Sequence, residues 1–264
     1  MTASDVRVHL VGSGPGAADL LTVRAHRLLE QAEVVLHDAL VDPSVLAIAA
    51  RARLVAVGKR AELPSTAQRF INKMLVDHGR SGRRVVRLKG GDPAVFGRLD
   101  EETSALRDAG IAFEIVPGIT AASAGAAELG ISLTLRGVAR SITFLTPCTC
   151  DDGDDGTWQP AAALLAAGGT LAVYMGGRQI AATARRLSHD APGSTPMAVV
   201  QGASLASTRW VGTLDSAATD PPPIGTGPVL LLVGPALQGL ARTSEAVDAA
   251  DANHALEPAG RAVA

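Results

Sequence analysis

The chain has 264 residues with 24 Lys+Arg against 26 Asp+Glu, a formal charge of −2. That balance excludes a polycationic nucleic-acid binder or a basic membrane-surface protein, and an anionic ligand would have to be met by a local cluster of basic side chains. Aromatics are only 3% of the chain, so the core has to be built from Ala, Val and Leu, while 28 Gly and 15 Pro suit a fold of short elements joined by tight turns. In chain order, residues 6–12 read as a strand and residues 19–32 as a helix, with Leu20, Leu21, Leu28 and Leu29 at helical spacing. Strands over 33–37, 54–57, 84–88 and 113–116 alternate with helices over 43–50, 65–78 and 98–108, a pattern that predicts a mostly parallel sheet covered by helices. A small-residue helix follows at 119–129. Strands at 142–146, 170–175, 197–201, 209–213 and 229–233, with helices at 159–167 and 178–189, predict a second α/β unit with a mixed sheet. The expected division is 1–133, 134–237 and an Ala-rich, mobile tail over 238–264.

Cys148 and Cys150 are too few and too closely spaced for a disulfide framework and read as reduced thiols. The acidic loop 151–156 lacks the distant Glu of a calcium loop, so no metal is expected. No signal segment precedes the first strand and no apolar run reaches about 18 residues, so a cytoplasmic protein without a membrane span is expected.

The loop Gly12-Ser13-Gly14-Pro15-Gly16-Ala17 lies between a strand and a helix and satisfies the dinucleotide pattern G-x-G-x-x-A, with Asp38 after the next strand as ribose partner. An NAD(P)-dependent oxidoreductase is therefore one reading, and a tight turn is another. Against the first, Pro15 has no N–H to offer a pyrophosphate, and the following helix begins late. A second loop, Lys89-Gly90-Gly91-Asp92-Pro93, follows the fourth strand, where adjacent glycines allow a ligand to approach the backbone and Asp92 can accept hydrogen bonds. Asp-Pro is also ordinary turn chemistry.

These loops sit within a larger set of motifs: Val11–Gly16 with Leu20-Leu21-Thr22, Val34–Asp38, Gly58-Lys59-Arg60, Val85–Pro93 with Phe96-Gly97-Arg98, Val116–Ala122 and Tyr174-Met175-Gly176. In this order, over residues 8–235, the chain resembles the uroporphyrinogen-III C-methyltransferases of the tetrapyrrole and corrin methyltransferase superfamily. The resemblance implies two α/β domains, a homodimer, and S-adenosyl-L-methionine held in the cleft between them rather than a dinucleotide. It implies Pro15, Gly90, Gly91, Asp92, Val95, Thr120, Ala121, Met175 and Ala203 as cofactor contacts, Ala203 standing where relatives usually carry glycine. It also implies Asp38 as general base and Lys59 as general acid. The tetrapyrrole substrate carries eight carboxylates, for which Arg60, Arg98 and Arg136 are the candidate partners. No fused dehydrogenase–chelatase segment is expected, hence neither oxidation nor iron insertion.

The chain departs from the family pattern at Ala17, Ala39, residues 62–65, Leu135 and Pro147-Cys148, and most of these changes remove polar groups on the substrate side. A methyltransferase acting on another corrin precursor or a different acceptor, and a non-catalytic protein that retains S-adenosylmethionine, are the remaining expectations.

Overall fold

The computed structural model describes residues 7–57, 68–147 and 158–240. Lys59, Arg60, Cys148, Cys150, the acidic loop and residues 241–264 of the tail lie outside the described residues.

Five parallel strands form the first sheet: β1 (Val8–Gly12), β2 (Val34–His37), β3 (Arg53–Ala56), β4 (Val85–Lys89) and β5 (Phe113–Val116), in the order β3-β2-β4-β1-β5. Parallel strands are covered on both faces, and their alternating side chains divide into two cores. On one face Val11, Val35, Val86 and Leu88 meet Ala25 and Leu29 of α1 (Val23–Gln31) and Val45 of α2 (Pro43–Ile48). On the other, Val8, Leu10, Val34, Leu36 and Val85 meet Ile71 and Leu75 of α3 (Gln68–Arg80) and Leu106 of α4 (Leu99–Asp108).

The first helix starts later than its apolar spacing suggests. Residues Ala18–Leu20 make a single 3₁₀ turn, Leu21 and Thr22 are extended, and the Thr22 hydroxyl accepts the Ala25 N–H at 3.2 Å to cap α1. A threonine that bonds its own backbone competes with helix continuation at that point.

The second sheet runs β6-β7-β10-β8-β9, comprising β6 (Ile142–Leu145), β7 (Thr170–Tyr174), β8 (Pro196–Gln201), β9 (Thr208–Thr213) and β10 (Val229–Val233). Only β6 and β7 pair in parallel; β10 is antiparallel to β7 and β8, and β8 to β9. One face is covered by α6 (Trp158–Ala166), α7 (Ile180–Ser188) and α8 (Leu214–Thr219). The other carries α5 (Ala121–Glu128), whose Ala122 packs with Ala172, Ala198, Leu230 and Leu232. Gly125 permits that approach, since a Cβ there would lie 2.9 Å from Leu230 Cδ2. The sequence division at 133 assigns this helix to the first unit, but its small residues fit the second sheet. Of the tail, residues 238–240 are described, and Leu240 packs against this same cluster.

Candidate functional site at the strand ends

All five strands of the first sheet end at one edge. Adjacent strands β1 and β4 lead into helices on opposite faces, α1 on one and α4 on the other. That switch point is where an open α/β sheet forms its ligand crevice, outside the carboxyl ends of the strands.

The glycine loop after β1 is not arranged as a phosphate cradle. Ser13 N donates to Lys89 O at 2.8 Å, Gly14 N to Gly91 O at 3.2 Å and Ala17 N to Ser204 Oγ at 2.9 Å. Pro15 has no N–H, and α1 starts only at Val23. Amides already committed inside the protein cannot bind a pyrophosphate, so the dinucleotide reading loses its structural basis. Gly14 and Gly91 pair with each other instead, Gly91 N returning a 2.7 Å bond to Gly14 O. Both adopt left-handed φ, +72° and +64°, a region that suits glycine.

The loop after β4 is latched to the loop after β5 through Asp92. Its Oδ1 accepts the Ala94 N–H at 2.8 Å and its Oδ2 the Gly118 N–H at 3.0 Å. Bonds to a charged acceptor contribute about 1.5–3 kcal/mol each when both partners are well placed. Asp92→Ala is therefore expected to lower stability by about 2 kcal/mol, read as a shift in the midpoint of urea unfolding. A midpoint equal to that of the parent would show that the latch contributes nothing.

The second sheet meets this edge at two places. Tyr174 Oη lies 2.6 Å from Thr120 Oγ1 and accepts the Ala122 N–H at 3.2 Å, so the end of β7 holds the start of α5. Desolvation, the largest influence, raises the Tyr174 pKa and keeps it a neutral phenol. Its ring packs against Phe96 and Phe144, at centroid distances of 5.2 and 5.5 Å. At the second place, Ser204 accepts from Ala17 as above and gives its own N–H to Glu128 Oε1, while Arg209 donates to Glu128 O at 2.7 Å.

The segments carrying the nine expected cofactor residues are thus joined. Pro15 follows Gly14, which pairs with Gly91; Gly90, Asp92 and Val95 share that loop; Thr120 and Ala121 touch or adjoin Tyr174; Met175 follows Tyr174; and Ala203 precedes Ser204. Met175 is 58% exposed at a left-handed φ of +59°, an unusual backbone state for a long apolar residue and one that collects at functional edges. Ala203 is buried, and the left-handed positions are its neighbours Gly202 and Ser204, so alanine at 203 carries no positive-φ strain.

Asp38 is the first residue past β2. Its N–H donates to Leu88 O at 3.2 Å, and its Oδ1 receives Arg87 Nη2 at 2.6 Å. Arg98 immediately precedes α4 at φ +53° and is bidentate to Glu101, at 2.6 and 2.8 Å. Arg136 is exposed, in the turn closed by the Leu135–Ala139 bridge. Their expected partner Arg60, and Lys59, lie outside the described residues.

Sequence reasoning missed the buried charges beneath this edge. Arg87 and Lys89 project from β4 toward α4, where Glu102 Oε1 accepts from Arg87 Nε at 3.0 Å and from Lys89 Nζ at 3.0 Å. The available signal was two cations at alternate positions of a central strand that otherwise reads Val-Val-x-Leu.

Such an arrangement defines an α/β protein of two sheets, one parallel and one mixed, with its crevice assembled from strand-end loops of both. The chain belongs to the tetrapyrrole (corrin/porphyrin) methylase family, whose model matches residues 7–218. It is 48% identical over 204 residues to the uroporphyrinogen-III C-methyltransferase of Pseudomonas aeruginosa, covering 77% of this chain and 82% of that protein. It is 45% identical over 233 residues to siroheme synthase 1 of Yersinia pseudotuberculosis, covering 86% of this chain and 48% of that protein. The chain thus spans about half the length of the siroheme synthases it matches. Among solved structures, the uroporphyrin-III C-methyl transferase of Thermus thermophilus complexed with S-adenyl homocysteine superposes with a TM-score of 0.76 at 35% identity, covering 88% of this chain and 99% of that one. Cobalt precorrin-4 methyltransferase gives 0.77 at 25% identity, covering 90% and 98%.

Proposed function

We propose that the chain is an S-adenosyl-L-methionine-dependent C-methyltransferase that adds two methyl groups to uroporphyrinogen III, giving precorrin-2 for sirohaem or cobalamin. The observation that carries this reading is that the family match at residues 7–218 contains the whole switch-point edge, with its loops at 12–17, 90–98, 117–120 and 174–176.

The residues present fit the methyl donor. A Cβ on Gly91 would meet nothing within 4 Å, and one on Gly90 only Leu40 Cβ at 4.0 Å, so this backbone faces open space. Exposed Met175 and half-exposed Phe96 give that space apolar walls. In this reading Pro15, Gly90, Gly91, Asp92, Val95, Thr120, Ala121, Met175 and Ala203 hold the donor, whose sulfonium supplies an electrophilic methyl group when bound. Asp92 serves indirectly, by fixing the Ala94 and Gly118 backbone.

The rest of the chemistry falls to positioning and proton transfer. With the donor bound, a pyrrole carbon would take its methyl group as the carbon–sulfur bond breaks to leave S-adenosylhomocysteine, and the macrocycle would then lose a proton to restore neutrality. Asp38 accepts that proton: Oδ1 is occupied by Arg87, which leaves Oδ2 as the accepting atom. Lys59, the acid that the resemblance implies, would return a proton to the macrocycle at another carbon, balanced by loss of a further proton from it, so that one proton leaves for each methyl gained. Arg60, Arg98 and Arg136 pair with the substrate carboxylates, with Arg98 exchanging Glu101 for a carboxylate of the substrate. The protein acts as a cytoplasmic homodimer in this reading, for which the support is the family resemblance.

The test is incubation with isotopically marked S-adenosylmethionine and freshly generated uroporphyrinogen III, followed by mass analysis of the tetrapyrrole. Gain of two methyl groups is expected. Tight cofactor binding without transfer would overturn the acceptor assignment and favour a methyltransferase acting on a different acceptor.

A further inference from the structure

We infer that Arg87 is the positioning residue of Asp38, with Glu102 fixing Arg87 in turn. This rests on the reading of Asp38 as proton acceptor.

Arg87 is one of the largest fully buried side chains, 2% exposed, and it sits on β4 between β2 and β1. A guanidinium is buried only where its donors are satisfied, and here all three nitrogens are engaged. Nε donates to Glu102 Oε1, Nη1 to Leu88 O at 3.0 Å, with Leu36 O at 3.5 Å, and Nη2 to Asp38 Oδ1 at 2.6 Å. The planar fork therefore spans from a carboxylate on α4, inside the core, to a carboxylate at the sheet edge.

The surroundings leave the fork little freedom. Glu102 is 0% exposed and also accepts from Lys89 Nζ at 3.0 Å and, on the α3 side, from Gln68 Nε2 at 3.2 Å. Two cations, Arg87 and Lys89, face two carboxylates, Glu102 and Asp38, so charge closes locally. Asp38 alone reaches solvent, its side chain 30% exposed. An aspartate just past a strand would otherwise sample several rotamers; here its N–H is tied to Leu88 and its Oδ1 to Arg87, both on β4. A lysine at 87 could offer a charge but not two donors in a fixed plane, so it could not hold Glu102 and Asp38 together.

The experiment is a double-mutant cycle on methyl transfer to uroporphyrinogen III, with cofactor affinity measured on each protein. Arg87→Lys is expected to lower kcat by about tenfold, the scale on which loss of orientation acts, with the Kd for S-adenosylmethionine changed less than about twofold. In an Asp38→Asn background the same replacement is expected to change kcat less than about twofold, because a residue acting through Asp38 has nothing left to position. Losses that simply add would overturn the inference, as would an unchanged kcat in Arg87→Lys. Should the lysine variant fail to fold, Arg87→Gln repeats the cycle, and failure of both would make Arg87 a structural residue only. Asp38→Asn with parental kcat would instead overturn Asp38 as acceptor. Absence of transfer by the parent protein would overturn the proposed function and the role of Arg87 together.

Discussion

Gly118→Ala is expected to lower the stability of the fold by about 3 kcal/mol or more and to abolish cofactor binding. The reason lies in how three strands finish. A Cβ on Gly118 would enter the van der Waals shell of Gly91 O and lie 2.9 Å from Gly12 Cα; one on Gly12 would lie 2.6 Å from Gly91 O and 2.7 Å from Gly118 Cα. Each obstacle is backbone. Relief would require moving the ends of β1, β4 or β5 apart, and those ends are pinned by the Gly14–Gly91 pairing and by the Gly118 N–H bond to Asp92. Gly118 itself does not occupy the left-handed region, so the cost is one of close approach rather than φ. Gly91→Ala separates the two effects. Its φ of +64° penalises alanine by roughly 1–2 kcal/mol, but a Cβ there meets nothing within 4 Å. Urea unfolding of both variants should therefore rank Gly118→Ala well below Gly91→Ala. The reverse order, or a Gly118→Ala protein as stable as the parent, would contradict the three-glycine contact.

That contact shows where reading the sequence stops. Strand existence was legible because apolar β-branched runs such as Val34-Val35-Leu36 and Val229–Val233 are short, continuous and bounded by turn residues. The parallel order of the first half followed from alternation, and the mixed second sheet from closer strand spacing. Helix starts were less legible, because Leu20 and Leu21 have the right spacing for α1 yet Thr22 takes the cap. Helix α8 was missed altogether: it has six residues, and its capping box closes on Ser216 rather than the usual Glu or Gln. At the site, the glycine loops could be found but not interpreted from pattern alone. G-x-G-x-x-A describes spacing, and whether amides point at a ligand or at Lys89 O and Gly91 O depends on a strand whose paired residues lie 77 positions away, as Val8 with Val85. The charges on β4 were present in the sequence as an anomaly, but their partner Glu102 stands on a helix full of acidic residues, and only packing distinguishes it from Glu101.

Glu102→Gln is expected to be the other severe change, costing about 3–5 kcal/mol through the loss of one partner from a buried ionic group. Oε1 accepts from Arg87, Lys89 and Gln68, and Oε2 is buried with no partner among the described residues. Glutamine keeps the shape but removes the charge that balances two cations, and its N–H groups would occupy the place of Oε2, where no acceptor awaits them. The pH dependence identifies the cause. Desolvation already lowers the Lys89 pKa, Arg87 adds to that, and Glu102 and Asp38 oppose it. Without Glu102 the Lys89 pKa falls further. A lysine whose folded pKa lies below its unfolded value binds fewer protons folded than unfolded between the two, so stability rises with pH across that window. The penalty is complete below the folded pKa and is relieved as pH climbs toward the ordinary lysine value. The stability gap between Glu102→Gln and the parent, from urea unfolding, should therefore be widest at neutral pH and narrow in the alkaline range. A gap that stays constant would place the loss in packing or in Arg87 instead. Whatever part of the gap survives at alkaline pH measures the orphaned guanidinium and the misfitted amide, and the part that closes measures Lys89.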